Sequence, residues 1–116
     1  MSALDIVLAY HQAWKSGDVD AAMAYVSDDA VCRAPGEDLV GKRAYHAYLA
    51  GFAPNLTGVS EATALTDRDH VGLFYHPHTP VTTTAPAAEL FTVRDGLIVE
   101  NVLVFDRLSY APAPAP

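Results

Sequence analysis

A single cysteine, Cys32, excludes an internal disulfide, so the fold must be held by burial alone. Basic residues are scarce as well. Seven Lys and Arg stand against fourteen Asp and Glu, for a formal net charge of −7. The seven are scattered, which argues against nucleic acid, whose phosphates need clustered cations. No apolar run approaches the roughly 20 residues that a membrane-spanning helix requires. The opening MSALDIVLAY has no basic segment ahead of its apolar residues, so no secretory signal is read from it. These absences lead us to expect a cytoplasmic protein with no membrane and no nucleic-acid partner, its acidity serving solubility.

Apolar residues are plentiful. They make up 51% of 116 residues, enough for one domain that buries roughly two thirds of its unfolded surface. Residues 1–110 are expected to form that domain. The remaining Ala-Pro repeat, residues 111–116, has nothing to pack with and is expected to be a disordered, extended tail.

The change from helical to strand patterning falls between Ser16 and Gly36. Before it, Ile6, Val7, Tyr10, Ala13 and Trp14 recur at spacings of three and four, the stripe of a helix lying on a core. A buried Tyr10 hydroxyl needs a partner, so Tyr10 is either tied to another polar group or faces a cavity. Gly17 caps this helix and Asp18 opens a second, expected over Val19–Val26, with Ser27-Asp28-Asp29 as its stop. A strand is expected from Ala30 to the turn at Pro35-Gly36, with Cys32 a buried thiol on its apolar face. Residues 36–40 read as a loop. Gly41 then opens a third helix reaching Phe52, with Ala44, Tyr45, Tyr48 and Phe52 inward and His46 at the surface. The sequon at Asn55 carries no weight without a secretory signal.

From Leu56 the pattern is strand and turn. Val59–Leu65 and His70–His76 are two strands, the second with Val71, Leu73 and Tyr75 opposed by His70, Gly72, Phe74 and His76. His76-Pro77-His78 lacks a third ligand at any fixed spacing, so it reads as a solvated strand end and no metal is assigned. Thr82–Val93 and Leu97–Leu108 form a hairpin about Arg94-Asp95-Gly96. Ala87, Glu89, Phe91 and Val93 share one face, placing an acid in an apolar row. Asn101 sits in the same way among Val99, Leu103 and Phe105. With no Lys or Arg placed beside it, Glu89 is expected to have a raised pKa and to be neutral when dry. Apolar residues on both faces of the last strands suggest a second contact surface, and hence a homodimer.

The order helix, helix, strand, helix, then four antiparallel strands is an α+β layout. Residues 3–108 resemble the nuclear transport factor 2-like superfamily in its SnoaL-like and ketosteroid isomerase-like branch. The segments that carry the resemblance are AYHQAWKSGDVDAAMAYVSDDAV, GKRAYHAYLAGF and ELFTVRDGLIVENVLVFD. It implies a cone-like domain, a curved and mainly antiparallel sheet wrapped against three N-terminal helices, and a dimer with a cavity between sheet and helices.

By the same resemblance Tyr10 matches the tyrosine that donates to a developing oxyanion, and Glu89 matches the protonated acid that assists it. In the ketosteroid isomerases an apolar site keeps that acid neutral, so that it can donate a hydrogen bond. These two are the candidate catalytic residues, with Trp14, Tyr48, Phe74, His76, Phe91, Asn101 and Phe105 as candidate substrate contacts. The position of the family's usual base is Ala34. The implied activity is a cofactor-independent isomerase or cyclase acting on a hydrophobic carbonyl-containing ligand. The alternative is a non-catalytic binding or structural dimer in which Tyr10, Glu89 and Asn101 satisfy one another.

Overall fold

The computed structural model describes residues 1–111. Residues 112–116, most of the expected Ala-Pro tail, lie outside it. Helix α1 spans Ala3–Lys15 and begins with a reciprocal cap: Ser2 Oγ accepts from the Asp5 amide and Asp5 Oδ2 from the Ser2 amide, both at 3.1 Å. It ends where Gly17 turns into the left-handed region at φ 91°. There the Gly17 amide reaches Trp14 O and the Asp18 amide reaches Ala13 O, closing the last carbonyls of the helix. Asp18 then caps α2, Val19–Met23, by accepting from the Ala21 amide at 2.9 Å.

The second helix is shorter than its sequence suggests because the sheet claims the backbone first. The Ile98 amide donates to Tyr25 O at 2.8 Å, and Val26 already pairs with Ile98. Strand β1 therefore runs Val26–Ala34, with Ser27-Asp28-Asp29 inside an irregular stretch of it rather than at a helix stop. Residues 37–40 are likewise not a loop. They form the edge strand β2, Glu37–Val40, folded back on β1 through Pro35 and a left-handed Gly36. Helix α3, Lys42–Phe52, turns Tyr45 and Leu49 into the core and leaves Ala44, Tyr48 and Phe52 half-buried.

The remaining strands are a meander: β3 Gly58–Asp67, β4 His70–His78, β5 Ala87–Arg94 and β6 Leu97–Phe105. Strand β5 starts later than Thr82, because Thr79 Oγ1 accepts from the Val81 and Thr82 amides and folds that segment into a loop. Strand β6 stops at Phe105, where Asp106 caps a single turn, α4, Arg107–Tyr110. The six strands lie in the order β2-β1-β6-β5-β4-β3, with only β1 and β6 parallel. The fold is α+β, with the helices against one face of the sheet.

The β5–β6 hairpin turns through Asp95 and Gly96, both at positive φ. A bulge follows it, since Thr92 pairs with Glu100 while Val93 pairs with Ile98, leaving Val99 extra. This corrects the expected alternation along β6. Ile98 and Asn101 are both buried, although simple parity sets them on opposite faces. The core under the sheet joins Ile6, Val7, Tyr10 and Trp14 of α1 to Val71, Leu73, Phe91, Val93 and Ile98. A fully buried side chain such as Phe91 or Ile98 contributes roughly 1.5–3 kcal/mol. The other face carries exposed apolar groups: Leu65, Phe74, Leu90 and Val104.

Candidate functional site

Strand parity directs Ala87, Glu89, Phe91 and Val93 of β5 toward the helices, and all four are buried. Glu89 is only 4% exposed. Its carboxylate is held from three elements. Tyr75 on β4 donates its hydroxyl to Oε2 at 2.8 Å, and Asn101 on β6 donates Nδ2 to Oε1 at 2.9 Å. From α1, His11 places Nε2 3.2 Å from Oε2, close enough for an ion pair although the ring N–H is not aligned for a hydrogen bond.

That histidine changes the electrostatics. Burial alone would push the Glu89 carboxyl upward, but the facing His11 together with Asn101 and Tyr75 outweighs burial and holds it below the usual carboxylate range. The expected neutral, raised acid is therefore replaced by an ionised one. Counting only Lys and Arg as compensating cations leaves out His11, which lies on the buried stripe of α1 between Val7 and Trp14.

Behind Glu89 the network continues. Asn101 Nδ2 also donates to the Tyr45 hydroxyl oxygen at 2.8 Å, and the Tyr45 and Tyr10 hydroxyls lie 2.5 Å apart. Tyr10 is fully buried, packs edge-on against Tyr45 and Phe91, and is not among the cavity walls. Its hydroxyl is thus tied to another polar group, the first of the two options its position left open. Burial pushes the Tyr10, Tyr45 and Tyr75 phenols well above their ordinary range, with the Glu89 charge adding to it, so all three stay neutral. Burial, then the neighbouring carboxylates, pushes the Cys32 thiol up to about 12, which makes it an unreactive core residue.

A cavity of about 40 Å³ opens beside Glu89. Its walls are Trp14 of α1, Tyr48, Leu49 and Phe52 of α3, Tyr75, Pro77, Ala87, Leu103 and Phe105 of the sheet, and Tyr110 of α4. Of the candidate contacts, Trp14, Tyr48 and Phe105 stand on these walls. Phe91 and Asn101 are buried next to them without lining the space. Phe74 and His76 belong to the opposite sheet face, so they are corrected: Phe74 is 51% exposed, and His76 pairs with Glu61 at 3.0 Å. Both alternate with the buried Tyr75, and it is Tyr75 that reaches the site. Among the described residues no group of three or more His, Cys, Asp or Glu is placed to hold a metal. No described helix is long and apolar enough to cross a membrane.

The architecture defines an α+β domain that keeps a small aromatic-walled cavity between its sheet and helices, with one acid inside. Residues 7–101 match the SnoaL-like domain family, and the chain belongs to that family. A crystal structure of a protein from Kribbella flavida DSM 17836 is 38% identical, covering 94% of this chain and 90% of that one, with a TM-score of 0.89. A nuclear transport factor 2-like protein of unknown function from Cytophaga hutchinsonii ATCC 33406 shares 17% identity over 95% of each chain, with a TM-score of 0.81. A candidate polyketide cyclase from Xanthomonas campestris pv. campestris shares 22% identity over 93% of each chain, with a TM-score of 0.79. The last two similarities concern the fold alone. None of the curated proteins matches this chain.

Proposed function

We propose that the chain is a cofactor-independent acid–base catalyst, an isomerase or cyclase acting on a small hydrophobic carbonyl compound, with Glu89 as its base. The observation that carries this reading is a buried carboxylate on the wall of an otherwise apolar cavity, held below the usual carboxylate range by its three partners. A general base must be ionised, and His11, Asn101 and Tyr75 favour the ionised form of Glu89 while lowering its basicity. The C–H bond next to the carbonyl breaks and its proton passes to a Glu89 oxygen, while the electron pair moves onto the carbonyl oxygen. In an isomerisation Glu89 returns the proton to another carbon. In a cyclisation the enolate carbon attacks a second carbonyl of the same molecule, and the proton goes to the new alkoxide. Asn101, Tyr75 and His11 position the carboxylate, and Tyr45 and Tyr10 brace Asn101. Ala34 leaves the family's usual base position without a titratable group, so Glu89 carries the proton in both steps.

The test is deuterium exchange at the α-carbons of indan-2-one in D2O, followed by NMR. Wild type should accelerate exchange over buffer, and Glu89→Gln should abolish the acceleration while ligand still changes Trp14 fluorescence. Equal exchange by Glu89→Gln and wild type would refute the base assignment. A saturable fluorescence change with no exchange in wild type would establish the second reading, a non-catalytic binder. The small cavity, about 40 Å³ against the roughly 300–1,000 Å³ of ligand pockets, favours instead the structural alternative, in which Tyr10, Glu89 and Asn101 satisfy one another.

We also infer a homodimer through the outer sheet face. Cross-strand register sets Leu65, Gly72, Leu90 and Val102 in one row and Thr63, Phe74, Ala88 and Val104 in the next. A contiguous apolar patch of this kind on a soluble domain is ordinarily a contact surface, and a twofold axis would cover each copy with the same patch of the other.

A further inference from the structure

Trp14 is 3% exposed and stands on the cavity wall, yet its Nε1–H has no hydrogen-bond partner among the described residues. Buried indole N–H groups ordinarily find an acceptor, and one left unpaired is destabilising. The neighbours do not supply one. His11 and Phe52 both meet the indole edge to face, through ring contacts with centroids 4.9 and 6.2 Å away. Trp14 and Glu89 thus stand on the wall of one cavity, the first carrying an unpaired donor on α1 and the second a carboxylate acceptor on β5.

Resting on the reading that the cavity takes a hydrophobic carbonyl compound, we propose that Trp14 Nε1–H is the donor that receives the ligand's carbonyl oxygen, and that the ligand is an uncharged ketone or aldehyde rather than a carboxylic acid. The two polar groups divide the work of the reaction. Glu89 takes the proton from carbon, and the negative charge that develops on oxygen faces the indole donor. A ligand carrying its own carboxylate would meet the Glu89 charge in a site with little water to screen it, and is rejected. The other walls contribute mainly apolar contact, so the oxygen fixes the ligand's orientation.

The experiment compares indan-2-one, indane and indane-2-carboxylate on wild type and Trp14→Phe, with affinities measured by calorimetry and α-proton exchange by NMR. Trp14→Phe should weaken indan-2-one roughly 3–10-fold and leave indane almost unchanged. It should also slow the exchange of bound ketone by about 100-fold, the usual effect of removing an oxyanion donor. Indane-2-carboxylate should bind more weakly than the ketone to wild type and gain affinity in Glu89→Gln. Equal loss for ketone and indane, or no loss for either, would make Trp14 a wall residue only and overturn the proposal. Failure of wild type to bind or exchange the ketone would instead overturn the carbonyl reading beneath it. Should Trp14→Phe not fold, wild type gives the answer directly. The chain has one tryptophan, so a single indole N–H resonance is observed in ¹⁵N-labelled protein. Indan-2-one should move it downfield and indane should not; equal movement with both refutes the hydrogen bond.

Discussion

Replacing His11 by leucine removes the imidazole facing Glu89 while keeping an apolar side chain on the buried stripe of α1. The size of the effect follows from the choices left to the carboxyl group. Remaining ionised without its partner costs ~3–5 kcal/mol, the usual result of breaking a buried pair. Protonating instead costs about 1.36 kcal/mol for each pH unit above the unfolded glutamate value of about 4.3. The cheaper route sets the loss, so it should grow from about 1 kcal/mol near pH 5 to about 3 kcal/mol near pH 6.5. The sign follows from linkage: a folded-state pKa raised above the unfolded value gives stability present below the unfolded value and lost as pH rises. Urea unfolding of both proteins at four pH values, followed by far-ultraviolet circular dichroism, measures the difference. A loss that stays constant with pH would show that His11 acts by packing, through its ring contacts with Trp14 and Tyr75, and would remove the ion pair from the account of Glu89.

In wild type the Glu89 pKa is lowered on folding, so its contribution is present above the unfolded value and is lost as pH falls below about 4.3. Glu89→Gln should flatten that acid limb of stability, and an unchanged limb would contradict the lowered pKa. Leu90→Lys with Val104→Lys should give a monomer by light scattering at micromolar concentration, with helix and sheet content retained. A wild-type monomer under the same conditions would dispose of the dimer. Tyr110→Ala removes a 2.8 Å hydrogen bond to Ala85 O and the ring contacts with Phe52 and Phe105, a stability loss of about 1–2 kcal/mol. Because Tyr110 is a cavity wall on a turn with no buried residue, the same change should speed ligand association in stopped flow, and an unaltered rate would show that entry lies elsewhere.

The fold was legible where local chemistry decides it. Ser2 and Asp5, Gly17 and Asp18, and Asp95-Gly96 mark their caps and turns with side chains that have few other uses, and the structure uses them so. It was not legible where a distant strand competes for the backbone. Nothing near Ala24 announces that Ile98 will take the Tyr25 carbonyl, and nothing in residues 37–40 announces a partner in β1. The bulge at Val99 is a similar case. It shifts the face of every residue before it by one, and alternation along β6 alone cannot reveal it.

The site divides along the same line. Glu89 stands out in sequence because an acid in an apolar row is anomalous by itself, whereas its charge state depends on residues 78, 14 and 12 positions away: His11, Tyr75 and Asn101. Without them the carboxyl would be neutral and a donor; with them it is an anion and an acceptor, and the chemistry available reverses. Phe74 and His76 illustrate the opposite error, in which residue type overrode parity. Both suit a ligand site by type, but the strand that buries Val71, Leu73 and Tyr75 must send them outward. The position of the acid also bears on what Ala34 implies. Ala34 ends β1 beside the turn to β2, whereas Glu89 lies mid-strand between Leu73 and Leu103 with donors arriving from two neighbouring strands. An acid in the second place can be both dry and ionised. A base at Glu89 therefore needs no counterpart at Ala34.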